Sequence, residues 1–193
     1  TASALVNRGY KVTIFERNNS LATEASGNLQ GAVYTKLSPD QNPLCRFNIT
    51  AQLFSSHYYQ QQNLFQSCGA KTGVFHIPNS NNEIEHYQHL AKRHNRHALK
   101  QKNQLNPFIQ WVNEVNTEEI TGVQLNAGGL FVENSGWLNP KLLCYQLTQH
   151  ENISVILNSD IESLEKQNHQ WRLFDINNKE SDLFDTVVIA NAH

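Results

Sequence analysis

At 193 residues the chain is long enough for one large domain or two small ones, with a core that needs no disulfide staples. Its net charge of −2 gives no global pull on nucleic acid, so such a partner would need a local basic patch. No apolar run approaches the roughly 20 residues that span a bilayer, and no secretory signal stands at the start, which makes the cytoplasm the expected location.

The cysteines, Cys45, Cys68 and Cys144, are odd in number and widely spaced, with no C-x-x-C pair, and read as free, mostly buried thiols. Methionine is absent and Thr1 leads, so the expectation is a chain that begins inside a longer gene product.

The opening TASALVNRGYKVTIFER reads as a helix end carrying Ala2, Leu5 and Val6 on one face. Gly9 stops that helix, and a strand through Val12, Ile14 and Phe15 closes on Glu16. Helix, glycine and strand make half of a βαβ unit, and in dinucleotide-binding folds an acid at this point accepts hydrogen bonds from a ribose. The stretch EASGNLQGAVY, from Glu24 to Tyr34, then packs two glycines and several small polar residues together. A turn needs one glycine, so the run reads either as a solvated loop or as backbone kept bare for a ligand.

From Pro43 to Gln66 the residues Leu44, Phe47, Ala51, Phe54, Tyr58 and Phe65 recur at helical spacing and predict a packed face. A short strand is expected at TGVFHIP, followed by a helix over Glu83 to Lys100. That helix carries His86, His89, His94 and His97 on what reads as a solvated face rather than a metal site. Its end gathers Lys92, Arg93, Arg96, Lys100 and Lys102, either a phosphate-tracking surface or charges that offset the helix dipole. Asn116 and Glu119 form a capping pattern, GGLFV predicts a strand, and Asn139 with Pro140 starts a helix. The strands ISVILN, DIESLEK and QWRLFDI follow, and Val187, Val188 and Ile189 predict a central parallel strand ending in small residues.

Four segments in this order, RGYKVTIFER, ASGNLQGAVYTKLSP, GWLNPKLLC and VVIANAH, resemble the FAD-dependent amine and amino-acid oxidases of the D-amino-acid oxidase and glycine oxidase superfamily. Within it the likeness is to the oxidoreductase half of the bacterial bifunctional enzymes of tRNA wobble-uridine modification. The resemblance implies an α/β fold: an FAD/NAD(P)-binding Rossmann-like domain, incomplete at both ends, with an inserted α+β substrate domain. Residues 1–66 and 137–193 would form the cofactor domain and 67–136 the substrate domain. It implies FAD as cofactor, with Glu16 and Arg17 at the ribose and Ala25, Ser26, Gly27, Asn28, Gln30 and Gly31 along the phosphates and ring. By the same likeness the Ile161 backbone would face the adenine, and Ala190, Asn191 and Ala192 would make a second contact, Ala192 standing where a glycine is usual. Tyr34 and Arg46 are candidates to meet a substrate carboxylate, and Lys92, Arg93, Arg96, Lys100 and Lys102 are candidates to meet tRNA.

The implied chemistry is oxidation of a secondary amine, with a hydride leaving the carbon between nitrogen and carboxylate and the imine then hydrolysed. On 5-carboxymethylaminomethyl-2-thiouridine this removes the carboxymethyl group as glyoxylate and leaves an aminomethyl group. A methyltransferase half, using S-adenosyl-L-methionine, would methylate that amine. The glycine turn that holds the pyrophosphate precedes Thr1 in such proteins, so the isolated chain is expected to bind FAD poorly and to be inactive. The rival readings are a glycine oxidase-like enzyme of small amines and a non-catalytic tRNA-binding module.

Overall fold

The computed structural model describes residues 1–35, 37, 42–100 and 109–191, the side chains of 94–100 excepted. In chain order, α1 (Ala2–Val6) leads through Gly9, whose φ of +85° favours glycine, into β1 (Val12–Phe15), and a 3-10 turn follows at Ala25–Gly27. The middle of the chain builds β2 (Gly31–Val33), α2 (Pro43–Gln61), α3 (Leu64–Cys68), β3 (Gly69–Ala70), β4 (Val74–His76) and α4 (Asn81–Lys100). It continues with β5 (Ile109–Val112), α5 (Thr117–Thr121), β6 (Gly129–Val132) and β7 (Gly136–Leu138). Then come α6 (Pro140–Thr148), β8 (Ile153–Ile156), β9 (Ile161–Gln167) and β10 (Gln170–Asp175).

Two compact units result, Thr1–Asn28 with Pro140–His193, and Leu29–Asn139. In the first, β1 and β8 run parallel with Val12 opposite Ile153 and Phe15 opposite Ile156. Parallel neighbours need a crossover, and here the whole second unit lies in the chain between them. The β9–β10 pair is antiparallel with Gln167 opposite Gln170. Asn168 and His169 both hold positive φ at its two-residue turn, as the twist of a tight hairpin requires. Phe184 packs edge-on against Phe15, with ring centroids 5.8 Å apart.

The second unit contains two antiparallel sheets, ordered β2-β7-β3 and β4-β6-β5. Its core joins Leu90 and Ala91 of α4 to Ile109 of β5 and Leu130 and Val132 of β6. At Gly136 a Cβ would run into the Ala70 carbonyl, so β3 and β7 approach as closely as they do only without a side chain there. α2 starts where Asn42 accepts a hydrogen bond from the Cys45 N–H at 2.8 Å and Pro43 takes the first turn.

Four expectations change. The described residues of 29–66 and 137–139, expected with the cofactor domain, fall in the middle unit, where β7 pairs with β3 as well as with β2, Gly69 and Gly31 both standing opposite Leu138. α2 buries Cys45, Gln52 and Ser56, whereas Leu44, Phe47 and Phe54 of the expected core face are 66%, 69% and 72% exposed. Small residues permit close packing on the buried side, and Gln52 finds carbonyl partners there that no apolar residue could use. Val187 to Ile189 form no strand, and Val188 and Ile189 are exposed. Asn116 makes no side-chain cap on α5, and the Thr117 hydroxyl instead donates to the Glu114 carbonyl at 2.8 Å.

Leu130→Ala should cost about 3 kcal/mol by leaving a cavity. Gly136→Ala should cost about 1–3 kcal/mol by forcing β3 from β7. Urea titrations of each variant against the parent chain test both.

Candidate active site

The parallel pairing of β1 continues past its last residue. The Glu16 N–H donates to the Ile156 carbonyl and the Ser159 N–H to the Glu16 carbonyl, both at 2.9 Å, and the Asn158 N–H donates to the Asn18 carbonyl at 3.0 Å. Asn158 turns the chain with a φ of +52°, a left-handed conformation that asparagine tolerates. With its backbone tied on both sides, Glu16 is half-buried, and its Oε1 accepts the Asn18 N–H at 2.9 Å. Oε2 has no partner among the described residues. Ile161, half-buried, opens β9 two residues after Ser159, opposite Asp175.

From Glu16 a chain of polar contacts leads to the small-residue turn. Arg17 bridges to Glu24 at 3.1 Å and Asn18 Nδ2 donates to the same Glu24 oxygen at 3.3 Å. The Arg17 and Asn18 hydrogen bonds hold the exposed Glu24 carboxyl below the usual carboxylate range. The Gly27 N–H donates to the Glu24 carbonyl at 2.8 Å, and Asn28 Nδ2 donates to the Ala25 carbonyl at 3.2 Å. Ala25, Ser26, Gly27 and Asn28 are exposed, and their turn lies against α6. Glu16, Arg17 and residues 25–28 thus belong to one unit and one hydrogen-bonded segment, and Ile161 belongs to the same unit.

The other candidates are not part of that segment. Gln30 is exposed, and Gly31 is a β2 residue of the second unit. Ala190 and Asn191 are exposed coil, and Ala192 lies outside the described residues. Arg46 is exposed on α2, and its guanidinium has no partner among the described residues. Lys92 and Arg93 are exposed on α4; the side chains of Arg96 and Lys100, and all of Lys102, lie outside the described set. Tyr34, 53% exposed, directly follows β2, and its ring lies 5.9 Å, centroid to centroid, from the His76 ring.

Two groups were not visible in the sequence. Gln52, buried on α2, donates from Nε2 to the Asn134 carbonyl at 3.0 Å and more distantly to the Val33 carbonyl and the Ser135 hydroxyl, both at 3.4 Å. It thereby ties α2 to the residue before Tyr34. His76 sits between Tyr34 and Tyr87, the latter 6.3 Å away, and its buried Nε2 has no partner among the described residues. A glutamine inside an apolar period gives a faint signal, whereas a histidine in a short strand gives none.

A parallel strand pair that ends in a half-buried acid, linked to an exposed turn of small residues, defines a nucleotide-cofactor fold of the Rossmann-like class. The chain belongs to the FAD dependent oxidoreductase family (DAO), which matches it over residues 1–193. It is 43% identical over 171 residues to the tRNA 5-methylaminomethyl-2-thiouridine biosynthesis bifunctional protein MnmC of Saccharophagus degradans, covering 88% of this chain and 23% of that one. The protein of the same name from Methylobacillus flagellatus is 30% identical, with 100% of this chain and 28% of that one covered. The chain therefore spans about a quarter of these relatives. Among solved structures, a thermally stable mutant of fructosyl peptide oxidase aligns with a TM-score of 0.68 at 18% identity, covering 96% of this chain and 45% of that one. Glycine oxidase from Geobacillus kaustophilus aligns with a TM-score of 0.64 at 15% identity, covering 98% and 50%. The fold is the mixed α/β fold of these oxidases. No helix among the described residues is long and apolar enough to cross a membrane.

The residues present suit FAD chemically. A carboxylate oxygen with no partner among the described residues can accept from ribose hydroxyls, and exposed backbone with small side chains can admit a flat or charged group closely.

Burial in the ring cluster holds the His76 imidazole below its usual pKa of 6.5. The folded chain then binds fewer protons than the unfolded chain just below pH 6.5, so this contribution to stability is present above that pH and lost as the pH falls through the folded value. Urea unfolding at about pH 7.5 and pH 5.5 should show a larger loss for the parent chain than for His76→Phe.

Proposed function

We propose that the chain is part of the oxidoreductase portion of a bifunctional tRNA-modifying enzyme, which removes the carboxymethyl group of 5-carboxymethylaminomethyl-2-thiouridine to give the aminomethyl form. The observation that carries this is the 43% identity over 88% of the chain to a protein named for that biosynthesis, on a chain whose whole length matches the family. FAD, when bound, supplies the acceptor for the hydride removed from the carbon next to the amine.

The chain's own residues bind and align. Glu16, fixed by backbone bonds on both sides, would take the ribose hydroxyls through Oε2, and Arg17 would hold Glu24 and so set the start of the turn. Ala25, Ser26, Gly27 and Asn28, with Gln30 and Gly31, would let the phosphates and ring lie close to the backbone. The Ile161 backbone would border the adenine, and Ala190, Asn191 and Ala192 would line the cofactor's other side. Arg46, whose guanidinium has no partner among the described residues, would meet the substrate carboxylate. Lys92, Arg93, Arg96, Lys100 and Lys102 would track the RNA backbone, and a tRNA substrate puts the enzyme in the cytoplasm. A methyltransferase domain in the same polypeptide would complete the modification.

The full-length protein, incubated with tRNA bearing the carboxymethylaminomethyl nucleoside, should yield the aminomethyl form by mass spectrometry of digested nucleosides. Turnover of free glycine with no change in the tRNA would overturn the reading. Glu16→Ala should weaken FAD binding by roughly tenfold or more, read from flavin absorbance per chain, because a charge-assisted hydrogen bond is lost. The double reversal Lys92→Glu with Arg93→Glu should weaken tRNA binding and flatten its salt dependence by roughly one to two counterions.

A further inference from the structure

We propose that the exposed face of Tyr34, backed by His76 and Tyr87, is a stacking platform for the pyrimidine ring of an RNA nucleotide. This deepens the tRNA-modifying reading and rests on it. It also changes what Tyr34 is expected to do, which is to hold a base by its π-face rather than a carboxylate by its hydroxyl.

Three observations carry the argument. Tyr34 is exposed directly after β2 ends at Val33, and the Gln52 hydrogen bond to the Val33 carbonyl steadies the backbone before it. Behind it the rings form a row: His76 lies 5.9 Å away at an interplanar angle of 53°, and Tyr87 lies 6.3 Å from His76 at 64°. The row offers no cation to a carboxylate, because burial disfavours the charged form of His76 and its Nε2 has no acid beside it among the described residues. Burial, and after it the Glu83 carboxylate, raise the pKa of Tyr87. An exposed tyrosine whose ring packs on other rings suits the face of a base, which every base presents.

His76 acts through Tyr34 and is a positioning residue. Any ring of similar size should replace it, and a methyl group should not.

The test is a binding cycle with the flavin-loaded full-length protein and a fluorescent anticodon stem-loop RNA, with uridine or an abasic site at the wobble position. Tyr34→Ala should weaken the uridine stem-loop roughly tenfold and leave the abasic one nearly unchanged. Tyr34→Phe and His76→Phe should bind like the parent, and His76→Ala should lose a few-fold. Flavin absorbance per chain should be unaltered throughout, which separates a platform for the RNA base from one for the flavin ring. Should Tyr34→Ala fail to fold, the parent protein still decides, because it must bind the abasic stem-loop roughly tenfold more weakly than the uridine one. Equal losses on both RNAs, no loss on either, or a Tyr34→Phe defect as large as that of Tyr34→Ala would each overturn the platform while leaving the tRNA reading intact. A parent protein that binds neither stem-loop overturns both.

Discussion

The hydrogen bonds that clamp Glu16 between Ile156 and Ser159 are the constraint on which the first unit's site depends. A side chain at the end of an isolated strand would move with the fraying backbone. Here β8 supplies a partner before the residue and the turn after β8 supplies one behind it, so the carboxylate is aimed by main-chain bonds. Asn18 and Glu24 then pass that order to the 3-10 turn through side-chain bonds. The Arg17–Glu24 pair is exposed and adds little stability of its own, yet it fixes the start of the turn.

Close strand approach and one buried amide set the geometry of the second unit. Gly136 leaves room for β3 against β7, and β7 in turn holds β2. Gln52 reaches the same region from α2, where burying a polar group is tolerable only because backbone carbonyls meet it. Tyr34 inherits its position from this frame. The aromatic row and the hydrogen-bonded turn therefore belong to separate frames, each rigid for its own reason.

The exposed apolar stripe of α2 runs against the usual logic of amphipathic helices. Leu44, Phe47 and Phe54 face solvent while Cys45, Gln52 and Ser56 are buried. The chain covers only about half of the solved oxidases it resembles, so the stripe is read here within 193 residues of a fold that is larger in those proteins.

Much of the first unit was legible from local pattern. The stop at Gly9, the strand before Glu16 and the Pro140 start of α6 follow from backbone preferences that act within a few residues. The family likeness, too, lay in short segments in a fixed order. The face that α2 buries, the failure of residues 187–189 to pair, and the break between units at residue 28 were not legible, because each depends on what the rest of the chain offers as a neighbour. Sequence alone determined the local elements and the acid followed by a bare turn, since these are written in side-chain size and backbone freedom. Tertiary structure decided which of those residues share a frame and brought His76 between two tyrosines, because a ring's neighbours are set by packing across strands and helices far apart in the chain.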